Sequence, residues 1–215
     1  MNELERDLAG VAASHRAIEA SLHTLTDAQA ASPSLLPGWT VGHVLSHIAR
    51  NADSFVLMLD GARRGEIAAQ YPGGREQRNA DIDAGAGRSA KELVDDIVRS
   101  NAALEASFAA TADHGWVGEG DSVLGRIGVG ELPFRRWRET VVHHADAGLG
   151  FACDDWPNEY VRIELQRMTM LWDSRASMGL TGLPSAALAV PPHTRLAWLM
   201  GRTEIDGLEP AGLMG

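Results

Sequence analysis

The stretch Arg136-Trp137-Arg138-Glu139-Thr140-Val141-Val142-His143-His144-Ala145-Asp146 constrains the chain more than any other. At about 100° per residue, Arg136, Glu139, His143 and Asp146 fall within an arc of about 80° on one side of a helix, away from Val141 and His144. Four polar, mostly ionisable side chains then share one face. Removing such a face from water is costly unless its charges are paired or bind a metal, and a Glu and a His four residues apart converge within reach of one divalent cation. A solvated helix face or an Arg–Glu–His ion-pair row has the same spacing, so this stretch alone leaves three alternatives.

A further ligand is available in Leu36-Pro37-Gly38-Trp39-Thr40-Val41-Gly42-His43-Val44-Leu45-Ser46-His47-Ile48-Ala49-Arg50-Asn51. Pro-Gly punctuates a loop and Thr40 can cap a helix that carries His43, His47 and Asn51 in register on one face. One of these histidines with the later Glu and His makes a three-ligand zinc site whose fourth position is open, as in catalytic rather than structural zinc.

The segments PGWTVGHVLSHIARNA, REQRN (75–79) and RRWRETVVHHAD together resemble the mycothiol-dependent maleylpyruvate isomerases, whose metal-binding domain belongs to the DinB-like superfamily of four-helix bundles. The resemblance covers residues 1 to about 150. It implies a metal held by His47, Glu139 and His143, with His43 at a position that is not a ligand, and it places Arg78 and Asn79 near the active site as groups that bind the cofactor. The metal implied is zinc, although His and carboxylate ligands also suit Ni2+ or Fe2+. The cofactor implied is mycothiol or another low-molecular-weight thiol. In the mechanism of that family the thiolate adds to maleylpyruvate, the new single bond rotates, and elimination leaves the trans isomer.

In the C-terminal part, LAWLMGRTEIDG resembles the segment of these enzymes that ends in Ala-Gly-Arg-Gly, whose Arg has a catalytic or substrate-binding role and falls here on Arg202. A guanidinium holds a carboxylate in bidentate fashion, which suits a small unsaturated dicarboxylate. Thr203 stands where the family has Gly. Arg136 is a weaker candidate for the same role, either by orienting carboxylates or by stabilising the enolate formed on addition.

With 29 acidic and 19 basic residues the net charge is -10, which argues against nucleic acid as a partner. One cysteine, Cys153, excludes an intramolecular disulfide, and the adjacent Asp154 and Asp155 disfavour a reactive thiolate. No apolar run has the length of a signal peptide or a membrane span, so the expected location is cytoplasmic, with no membrane partner. Oligomeric state has no signature in the sequence.

The spacing of apolar residues predicts a mainly α protein. Helices are expected at about 2–28, Thr40 to Arg64, Ala90 to Ala112, Glu131 to about Leu149 and about Asn158 to Met178. Leu35 and Leu36 are expected under the bundle, residues 65–89 read as an irregular connection, and 116–130 as a hairpin or crossover. The domains are then a DinB-like metal-binding bundle, 1–155, and the fifth helix with a small α/β or irregular C-terminal appendage, 156–215, which has a possible strand at 186–190 and a short helix at about 194–200. Three functions compete: a zinc- and thiol-dependent cis–trans isomerase, a zinc-dependent thiol S-transferase acting in detoxification, and a non-catalytic bundle. A fourth strong ligand, Asp146 or His144, would favour the last by closing the site.

Overall fold

A computed structural model describes residues 1–175 and 182–213, which divide into two compact units, Met1–Gly150 and Phe151–Gly215. The first unit is a four-helix bundle with a small sheet. Its first helix, α1 (Glu3–Ser21), opens on a capping box in which Asn2 and Glu5 exchange hydrogen bonds with each other's backbone. It ends earlier than its apolar spacing predicts. Thr26 instead caps a one-turn helix, α2 (Asp27–Ala30), by reciprocal bonds with Gln29, an example of local side-chain bonding competing with helix continuation.

The second long helix, α3 (Val41–Arg63), is capped by Thr40 as its sequence predicts. The residue that completes the capping box is His43, whose Nδ1 lies 2.7 Å from the Thr40 hydroxyl. Leu36 packs against the core in the loop before this helix, whereas Leu35 remains 71% exposed, contrary to expectation.

The segment 65–89, expected to be irregular, contains a short strand, β1 (Ala68–Ala69), and a helix, α4 (Gly74–Ala86). The buried positions of α4 are Ile82, Gly85 and Ala86, so a single large apolar residue anchors it and amphipathic periodicity is faint. Its C-terminal end sits so close to α3 that a Cβ at Gly42 would lie 2.2 Å from the Ala86 carbonyl oxygen. The helix α5 (Ala90–Ala112) follows with Ser89 as its cap. Strands β2 (Glu119–Ser122) and β3 (Gly125–Gly128) form the antiparallel hairpin, and β1 pairs in parallel with β2. The motif helix, α6 (Leu132–Asp146), has Pro133 in its first turn, where no backbone donor is needed.

Contacts along the bundle fix its directions. Arg50 meets Asp96 and Arg63 meets Ser107, so α3 and α5 are parallel. His15 meets Arg136 and Ser21 meets His144, so α1 and α6 are parallel too. Between the pairs the order reverses, with Arg136 on Asn51 and Glu139 on His47. The order is up, down, down, up rather than uniformly antiparallel, because the connection through α4 carries the chain back to the starting end of α3 before α5 begins. Gly10 lets α1 approach α6 closely, since a Cβ there would lie 2.4 Å from the Trp137 ring.

In the second unit a 3-10 turn (Cys153–Asp155) precedes α7 (Asn158–Arg175), α8 (Ser185–Ala189) and α9 (Pro192–Leu199). Trp156, Tyr160, Trp198 and Leu199 are buried in it. The expected strand at 186–190 is the helix α8, whose Ala-rich sequence has high helix propensity. Arg195 ties down its C-terminal end through the carbonyls of Ala187, Leu188 and Val190. The described part of this appendage is helical and irregular rather than α/β. The predicted end of the fifth helix at Met178 lies outside the described residues.

Candidate metal centre

The capped start of α3 and the last turns of α6 bring His47, Glu139 and His143 together. His47 Nε2 lies 3.1 Å and His143 Nε2 3.6 Å from Glu139 Oε2, and one donor atom from each residue falls within 4.8 Å of the others. Bonds of about 2.05 Å at a tetrahedral zinc place donors about 3.3 Å apart, so a zinc ion fits with little rearrangement. Two imidazoles and a carboxylate are also the donor types that zinc accepts. Among the described residues this is the one group of three or more His, Cys, Asp or Glu that meets this geometry.

Each member is fixed by its neighbours. His143 Nδ1 is 2.8 Å from Asp146 Oδ2, a carboxylate–histidine contact that orients the ring. His47 is buried, with the edge of Trp39 against it at 5.7 Å between centroids and the His143 ring at 4.5 Å. Burial, and then the proximity of His143, lower its pKa to about 4, so the ring is neutral at physiological pH. Burial alone would raise the pKa of the Glu139 carboxyl, but the hydrogen bond from His47 and the neighbouring positive charges hold it well below the usual carboxylate range. The 29% exposure of the Glu139 side chain shows that the group opens toward solvent on one side.

Of the two candidates for a closing fourth ligand, Asp146 orients His143 and His144 turns away to the Ser21 hydroxyl at 2.8 Å. His43 takes part in capping and stacks on Trp39 at 6.1 Å. Arg78 reaches the group through α4, with Nη2 at 3.2 Å from His47 Nδ1, and Asn79 Oδ1 accepts from its Nη1 at 2.9 Å.

Arg136 behaves differently from its expected role. It is fully buried and donates to His15 Nε2, the Ile48 carbonyl, Asn51 Oδ1 and Asn101 Oδ1 at 2.7–3.0 Å. Burial lowers its pKa to about 10, so it stays charged. This guanidinium is a clamp between four helices, and no substrate carboxylate reaches it. Arg202, in the second unit, donates to the Met200 carbonyl at 2.7 Å and lines a cavity of about 500 Å³ with Trp198, Thr203 and Glu204.

Sequence reasoning missed Tyr71, which reads only as part of a turn. Its pKa is raised by burial against an opposing hydrogen bond with Ser54, and Glu139 and Arg78 are among the charges that act on it. The Arg78 guanidinium lies 6.0 Å from the ring centroid. No periodicity links residue 71 to the motif helices, and its partner Arg78 lies on the unforeseen α4.

Fold and site define a four-helix bundle with a His, Glu, His group suited to one divalent metal. Residues 11–148 match the family described as the mycothiol maleylpyruvate isomerase N-terminal domain, and the chain belongs to that family. Two solved structures share the fold. One is the crystal structure of the mycothiol-dependent maleylpyruvate isomerase, with TM-score 0.82, 24% identity, and coverage of 94% of this chain and 90% of that one. The other is a histidine-to-alanine mutant of the mycothiol-dependent maleylpyruvate isomerase, with TM-score 0.81 and the same identity and coverage. No curated protein matches the chain at a significant level.

Proposed function

We propose that the protein is a zinc- and thiol-dependent cis–trans isomerase acting on maleylpyruvate or a closely related unsaturated dicarboxylate. The observation that carries this reading is the half-open His47, Glu139, His143 group, which among the described residues has no fourth protein ligand. Family membership and the names of the similar structures support the same activity and point to mycothiol as the thiol. Bound there, zinc would keep a thiol in its thiolate form at neutral pH, the nucleophile that isomerisation by addition and elimination requires.

The residues of the chain have separable tasks in this reading. His47 and His143 would hold the metal through imidazole nitrogens and Glu139 through its carboxylate, whose charge would lower the net charge of the centre. Asp146 positions His143. Trp39 and the buried face of α3 keep water from one side, which strengthens every charge interaction inside. Arg78, with Asn79 as its anchor, offers a cation to an anionic group of the thiol or the substrate, and Arg202 is assigned to a substrate carboxylate. A mycothiol-dependent enzyme belongs in the cytoplasm, where low-molecular-weight thiols are kept reduced. Among the described residues no helix is long and apolar enough to cross a membrane.

The test is conversion of maleylpyruvate to fumarylpyruvate by the zinc-loaded protein, with and without mycothiol. Conversion that requires both zinc and thiol is expected. Consumption of thiol by an electrophile without isomerisation would replace this reading with an S-transferase. Arg202→Lys should retain metal and thiol binding but lower turnover by roughly two orders of magnitude, because an ammonium lacks the bidentate fork.

A further inference from the structure

The two histidines of the metal group turn their Nδ1 atoms to opposite kinds of partner, Asp146 for His143 and Arg78 for His47. Asp146 Oδ2 accepts from His143 Nδ1 at 2.8 Å, which leaves His143 Nε2 directed toward Glu139 at 3.6 Å. Arg78 can only donate, so His47 Nδ1, 3.2 Å from its Nη2, must accept. The neutral His47 ring therefore has its proton on Nε2, where it is donated to Glu139 Oε2 at 3.1 Å. A ring nitrogen that bears a proton has no lone pair for a metal. With Arg78 on its Nδ1, His47 is not set to bind.

We propose that Arg78 is a latch on the metal centre: its hydrogen bond to His47 Nδ1 and a metal bond at His47 Nε2 exclude each other, so metal entry releases the guanidinium into the site. The inference rests on the metal reading of the preceding section. On metal binding the proton leaves His47 Nε2 and one is gained at Nδ1, both through solvent, with no net change on the ring. Nδ1 then donates and repels the guanidinium, as does the cation itself. The Tyr71 ring, whose centroid is 6.0 Å from the Arg78 guanidinium carbon, and the Asn79 side chain give the released group a place to rest. Only the loaded centre then presents Arg78 as a free cation, so anion binding becomes conditional on the metal. Before loading, the same positive charge faces the imidazole that is to bind.

Zinc affinity of the zinc-free protein, measured by competition with a chromophoric chelator, tests the latch without substrate. Arg78→Ala removes one hydrogen bond to the competing tautomer and should bind zinc roughly tenfold more tightly than the wild type. Arg78→Lys, which still has a donor, should stay near the wild type. Nitrogen-15 NMR of the zinc-free wild type should show His47 with its proton on Nε2, and the zinc-loaded protein should show it on Nδ1. Equal or weaker zinc binding by Arg78→Ala, or a zinc-free wild type already protonated at Nδ1, overturns the latch alone. Failure of both proteins to take up zinc overturns the metal reading and the latch with it.

Discussion

Two polar layers lie one helical turn apart on the same face of α6, and they are completed in opposite ways. The Arg136 layer is closed. One cation is surrounded by two amide oxygens, a carbonyl and an imidazole, drawn from three other helices. The His47, Glu139, His143 layer gathers two imidazoles and a carboxylate around one point, with Arg78 behind His47, and it opens toward solvent at Glu139. Buried polar groups are stable when their partners are complete. One layer is complete from the chain itself and serves the fold, whereas the other is, in the proposed reading, the place of a metal and of the chemistry.

The comparison predicts that substitutions in the two layers separate stability from metal binding. His47→Ala and His143→Ala should abolish stoichiometric zinc binding, measured by metal content after dialysis, while the zinc-free variants remain folded. Arg136→Met should do the reverse. It strands four buried acceptors and should destabilise the protein by about 3 kcal/mol in urea unfolding, with zinc binding retained by the folded fraction. Loss of zinc in that variant, with the fold intact, would show that the two layers are one unit.

Smaller effects sharpen the boundary. Asp146→Asn retains the size of the side chain but weakens its hold on His143 Nδ1, and zinc affinity should fall by roughly 10- to 100-fold. The closed layer has its own titration. Burial, and secondly the charge of Arg136, lower the pKa of His15 from 6.5 to about 2. The unfolded chain takes up this proton below pH 6.5 and the folded one does not, so stability falls as pH drops through this window, by up to about 1.4 kcal/mol per pH unit from His15. His47 acts with the same sign down to about pH 4. Urea midpoints measured against pH should therefore decline below 6.5, and His15→Gln should flatten the decline. His43→Ala should cost no more than about 1 kcal/mol through the lost capping partner and leave zinc affinity within a small factor of the wild type.

Much of the site was legible because its signals are local. Thr40 as a cap sets the phase of α3 and so places His47, and the four-residue step from Glu139 to His143 needs nothing but helix geometry. Arg136 shares that face, yet spacing along one helix does not reveal what fills the space opposite, here His15, Asn51 and Asn101. α4 escaped for a related reason. Its anchor is Ile82 alone, amid charged residues that read as solvated loop, and with α4 unseen neither Tyr71 nor the Arg78 contact with His47 had a visible cause. In the second unit, the Ala-rich run at 186–189 favours helix by composition but is too short for a helical period to show, and the bonds from Arg195 that accompany the helix lie outside any local window.

In the proposed function the His47, Glu139, His143 group holds a metal with a position left open for a thiol. The most direct measurement loads the protein with one equivalent of Co2+, a spectroscopic stand-in for zinc, and titrates it with mycothiol. A sulfur-to-cobalt charge-transfer band that saturates at one thiol per metal, and is absent in His143→Ala, is the predicted result. Cobalt bound by the wild type without any thiol-dependent band would mean a closed, structural site and would contradict the account.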